Sequence, residues 1–144
     1  MLFVLRPAVE ADALALSRVS KRAFPHTSLN LFPPHLQTEE NKDSETNWRI
    51  QRTVTRMRKG FPAVVAVKVD EATGQELAIV GYSQWEPPHD ASVDSDIVTE
   101  GQNIPDGMDK DKAAELLKVL EEQEKRLLGD KAKDTWSAFL MSLS

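Results

Sequence analysis

The sequence predicts a mixed α/β (α+β) fold, a mainly antiparallel sheet of about four strands with three helices. Three observations predict it. Short β-branched and apolar runs occur at 2–6, 63–69 and 77–86, and again near the C-terminus. Windows of helical spacing cover 9–24, 44–60 and 109–128. Proline and glycine punctuate the boundaries between them. The order is strand, helix, loop, helix, hairpin, helix, strand.

The first strand is LFVLR at 2–6, stopped by Pro7, which cannot donate to a ladder. In the helix that follows, Val9, Ala13, Leu16, Ser20 and Ala23 share one face. Glu10 and Asp12 open it and Arg18, Lys21 and Arg22 close it, which suits the helix dipole. Pro25 ends it. Residues 25–43, with Pro33, Pro34 and the polar run QTEENKD, read as a long irregular loop. Ser44 caps the second helix, whose buried stripe is Ile50, Val54, Met57 and Phe61, and Gly60 is its C-terminal stop.

AVVAVKV and LAIVGYSQWE flank the glycine-containing loop DEATGQE and read as an antiparallel hairpin. Gly81 inside the second run predicts a bulge or a close neighbour. Residues 89–107 are polar and read as an excursion. In the third helix Ala113, Leu116, Leu117, Leu120 and Leu127 are the apolar positions and Gly129 is the stop. The last run, Trp136 to Leu143, is apolar on both alternations, as in a central strand covered on both faces. Left unpaired it is an aggregation hazard, so something beyond residue 144 or a second chain is expected to cover it.

At 144 residues the chain fits one domain, expected over 1–144 with a polar and helical insertion at about 87–134. Its 40% hydrophobic and 28% charged residues are those of an ordinary globular chain. The absence of cysteine excludes disulfides, a thiol nucleophile and thiolate zinc sites. Apolar runs reach only about five residues, too few to span a membrane. With no signal-peptide pattern either, a cytoplasmic location is the expectation. The net charge of −5 divides unevenly, at +4 over 1–60 and −9 over 61–144. That places a basic surface on an acidic body and argues against nucleic acid as the partner.

The opening VLRPAVEADALALSRVSKRAF resembles the first strand and helix of the GNAT superfamily of N-acetyltransferases. PAVVAVKVDEATGQELAIVGYSQWEPP resembles their second and third strands, and the helix before WSAFLMSLS is similar to that of fungal members. The family's Arg/Gln-x-x-Gly-x-Gly/Ala loop, whose N–H groups cradle the coenzyme A pyrophosphate, has no counterpart here. The glycines stand at 60, 74, 81, 101, 107 and 129, no two of them one residue apart. The resemblance therefore implies the N-terminal portion of a GNAT domain, incomplete at the C-terminus.

By resemblance the activity is acetyl transfer from acetyl-CoA to a primary amine, expected to be weak or absent in this chain. The backbone of Leu143 and Ser144 would stand where the family pairs its cofactor. Glu86 is the candidate base, Trp85 beside it a wall for the amine, and Phe24 and Trp48 candidates for the substrate side. A solvated Glu86 and core aromatics are the alternative for the same residues. A non-catalytic module is the alternative for the whole, pairing through its terminal strand with a partner or a second copy.

Arg49, Arg52, Arg56 and Lys59 form a basic stripe on the second helix. It reads either as an anion site or as a solvated face opposite Ile50, Val54 and Met57. No aromatic interleaves it, so the solvated face is the expectation. His26, His35 and His89 lie in or beside loops without metal-ligand spacing, so no metal site is assigned.

Overall fold

The computed structural model describes residues 1–88, 104–134 and 136–142. It is mixed α/β. β1 (Leu2–Pro7) leads through a 3₁₀ turn at Glu10–Asp12 into α1 (Ala13–Ala23), α2 (Pro25–Leu31) and α3 (Ser44–Arg58). β2 (Ala63–Val69) and β3 (Glu76–Glu86) form the hairpin, followed by α4 (Lys110–Leu127) and β4 (Ser137–Ser142). The α-helices number four among the described residues, against the three expected. The added one is α2. Pro25 does end α1, but it also opens α2, where the first position suits its fixed φ and missing N–H. Part of the expected loop is therefore helical, and a 3₁₀ turn at Pro34–Leu36 follows.

The chain forms two compact units. Among the described residues, the first comprises 1–25, 46–86 and 138–142, and the second 26–45, 87–88, 104–134 and 136–137. In the first, the sheet order is β1-β2-β3-β4. β1 and β2 run antiparallel from Leu2 opposite Val69 to Pro7 opposite Val64. β2 and β3 pair antiparallel from Ala63 opposite Gln84 to Val69 opposite Glu76. The register jumps where Ala66 faces Gly81 and Val67 faces Ile79, so the predicted bulge falls beside Gly81.

β2 alternates, with Ala63, Val65, Val67 and Val69 buried on one face. Leu16 of α1 joins Val65, Val67 and Val69 in the core, with Ala8, Met57, Ile79 and Tyr82 packed around them. Burying each of the four core side chains, Leu16, Val65, Val67 and Val69, is worth about 1.5–3 kcal/mol. On the opposite face Phe3, Leu5 and Trp85 are exposed.

Polar ties set the helices over this core. Asp12 accepts from Arg6 Nη1 at 2.8 Å and Nη2 at 3.0 Å, and from the Val9 backbone N–H at 2.8 Å. Arg6 also reaches Glu76 on β3 through Nε, at 2.7 Å. Arg58 of α3 donates to Glu10, and Arg49 Nη1 donates to Ser20 Oγ of α1 at 2.9 Å. α3 ends as expected at Gly60, whose φ of +85° lies in the left-handed region. Gly60 N–H bonds Met57 O and Phe61 N–H bonds Arg56 O, both at 3.0 Å, the two bonds of a Schellman ending.

In the second unit Leu31, Phe32, Met108 and Ala113 are buried. Ser28 Oγ donates to Glu45 Oε1, both residues buried, and the Asp109 N–H bonds Leu31 O at 2.7 Å. Gln37 Nε2 donates to Gly107 O at 2.8 Å. Asp109 caps α4 through the N–H groups of Asp111 and Lys112. Of the apolar positions read on α4, only Ala113 is buried, while Leu120 and Leu127 are exposed.

Candidate functional site

Helical spacing puts Arg49, Arg52 and Arg56 on one face of α3, and in the folded unit that face looks onto a cleft. α1 supplies Leu16, Ser17 and Ser20 to its wall, and β3 supplies Tyr82 and Gln84. Thr53 of α3 completes the lining. The cleft holds about 60 Å³. A water needs roughly 10–15 Å³ by the same measure, so the space suits a group of a few heavy atoms rather than a whole cofactor.

Tyr82 and Gln84 reach the cleft because strand alternation turns them to the helix-covered face, opposite Val65 and Ala63 of β2. Gln84 is 5% exposed. Its Oε1 accepts from Arg56 Nη1 at 3.5 Å, the long limit of a hydrogen bond. Its Nε2 is buried and has no hydrogen-bond partner among the described residues. Arginine offers only donors, so the amide oxygen is the end that must face Arg56.

Burial pushes the Tyr82 phenol above the ordinary value of 10.0. A hydrogen bond with Ser20 and the positive charges of Arg49, Arg52 and Arg56 pull the other way, with less effect. The guanidinium carbons of Arg49 and Arg52 also lie over the Trp48 ring, 5.8 and 5.4 Å from its centre.

The residues singled out from sequence do not converge on one site. Trp48 carries the arginines on its ring but does not line the cleft. Phe24 is the C-cap of α1 and 44% exposed. Trp85 and Glu86 point to opposite faces of β3, and Trp85 is 42% exposed, on the face away from Gln84. Glu86 falls on the Tyr82–Gln84 face, at the strand end beyond the cleft lining. Leu143, Ser144 and His89, with most of the 89–107 excursion, lie outside the described residues.

The basic stripe is not the solvated face expected for it. Arg49, Arg52 and Arg56 are half-buried and only Lys59 is exposed. The signal for this was present in α1, where Ser17 and Ser20 interrupt an apolar face opposite the stripe. Gln84 and Tyr82 carry no such signal, because a hairpin pattern does not show which helices cover the strand.

Among the described residues no group of three metal-ligating side chains occurs, and no helix is long and apolar enough to cross a membrane. Comparison with protein-family models, with curated proteins and with solved structures finds no match.

Proposed function

We propose that the chain carries a GNAT-like acyl-transfer fold that acts on a primary amine, with acetyl-CoA as the acyl donor. The observation that supports this reading is topological. Helices α1 to α3 separate β1 from the β2–β3 hairpin, and the strands stand side by side in chain order. That is the arrangement the resemblance implies for the opening half of such a domain.

Glu86 is the proposed base. Its carboxylate takes a proton from the substrate ammonium, and the freed amine nitrogen attacks the thioester carbon. A C–N bond forms, the C–S bond breaks, and the second proton lost by the nitrogen passes through water to the departing coenzyme A thiolate. The 60 Å³ cleft does not fit coenzyme A, so the donor is not assigned to it. The cofactor-pairing role of Leu143 and Ser144 belongs to the same proposal.

The test is mass-spectrometric detection of N-acetyl products from a panel of primary amines at high protein concentration. The expected result is slow, amine-dependent acetylation above a no-protein control, reduced by Glu86→Gln. Acetylation that folded Glu86→Gln leaves unchanged contradicts the assignment of the base, and no product above control across the panel favours the second reading below.

A second reading, a non-catalytic module that pairs through its terminal strand, is favoured by the place of β4 at the end of the sheet order. A stable dimer by light scattering, without acetylation, would support it over the first.

A further inference from the structure

We infer that the cleft between α1, α3 and β3 binds an oxyanion, the carboxylate or phosphate group of a small ligand. The inference goes beyond the acyl-transfer reading and does not depend on it. Two independent observations carry it.

The first is the lining. Arg49, Arg52 and Arg56 line a space of about 60 Å³ and give its wall a positive charge. Guanidinium forks match carboxylate and phosphate geometry bidentately, and the pairing is stronger where water is partly excluded. Ser20 Oγ and Tyr82 Oη add hydroxyls that can donate to the same group.

The second observation is Gln84. Its residue is 5% exposed, it lines the cleft, and its Nε2 has no acceptor among the described residues. A buried amide N–H without an acceptor costs free energy that an arriving acceptor recovers. An oxyanion both accepts from the amide and suits the positive charge of the arginine-lined wall. A cation or a neutral apolar group would do neither.

Size sets the class of ligand. The cleft takes the headgroup and leaves the remainder outside, where Trp48 holds Arg49 and Arg52 over its ring. Occupancy that draws those two guanidinium groups inward therefore changes the surroundings of the Trp48 indole.

The experiment titrates the full 144-residue chain with inorganic phosphate and, separately, with acetate. Ionic strength is held fixed with chloride. Heat and tryptophan fluorescence are both read, the latter in a background with Trp85 and Trp136 replaced by Phe. Saturable binding of either anion is expected, and the tighter of the two identifies the class of headgroup.

Gln84→Glu keeps the shape and places a negative charge on the cleft floor, so it should weaken binding about tenfold or more. Arg56→Gln gives a second reading of the same site should the first variant fail to fold, with a loss of similar size. Heat without saturation for both anions overturns the inference. So does saturable binding that folded Gln84→Glu and Arg56→Gln leave unchanged, since the anion would then sit elsewhere.

Discussion

Asp12 accepts from both terminal nitrogens of Arg6 and from the Val9 N–H. The Arg6 guanidinium holds its carboxyl below the ordinary 3.8, with the Val9 N–H adding to the effect. Glu76, on the same guanidinium, is also held below its ordinary 4.5. Both folded-state values are depressed, so the stability they contribute is fully present above the ordinary carboxylate range. It is lost as pH falls through the lowered values. Asp12→Asn should therefore cost about 1–3 kcal/mol at neutral pH and flatten the acid limb of a denaturation profile.

Tyr82 behaves in the opposite sense. It is the single tyrosine of the chain, so its absorbance titration reports one group. Burial raises the phenol, so the midpoint of its titration in the folded chain should lie above 10.0. Its share of stability is full below that value and is lost as pH rises through the raised one. A titration at or below the ordinary value would show that the phenol is not buried against α1 and α3.

Elements were legible in proportion to how local their causes are. The Gly60 ending of α3 was readable because a glycine after an amphipathic run marks a left-handed stop. Gly60→Ala should cost about 1 kcal/mol, measured as a shift of the denaturation midpoint. The hairpin was readable from β-branched composition, and Asp70 shows why its loop holds. Its Oδ1 accepts from the N–H groups of Ala72 and Thr73, at 2.9 and 2.8 Å.

The helix α2 was not readable, because Pro25 serves two elements at once and a sequence window assigns it to one. The cleft was not readable either, since it joins α1, α3 and β3 across more than sixty positions and no single window contains its residues. Packing is the most predictable consequence at this scale. Leu16 is 1% exposed between α1 and β2, so Leu16→Ala should cost about 2–5 kcal/mol. A loss well under that would mean that the helix does not seat on Val65 and Val67.

For the whole molecule, the charge asymmetry acquires a location. The positive half of the sequence contributes the arginines of α3, and three of them line a cleft, half-buried. That geometry favours a small anion over a polyanion, because extended backbones need basic charge spread over an open surface. Retention on a heparin column at moderate salt should accordingly be negligible.

The direct measurement of the anion site follows the Gln84 side-chain amide by ¹H–¹⁵N NMR as phosphate or acetate is added at constant ionic strength. The account predicts a saturable shift of that amide, in step with the Trp48 indole. Shifts confined to exposed lysines, with the Gln84 amide unmoved at every concentration, would contradict it.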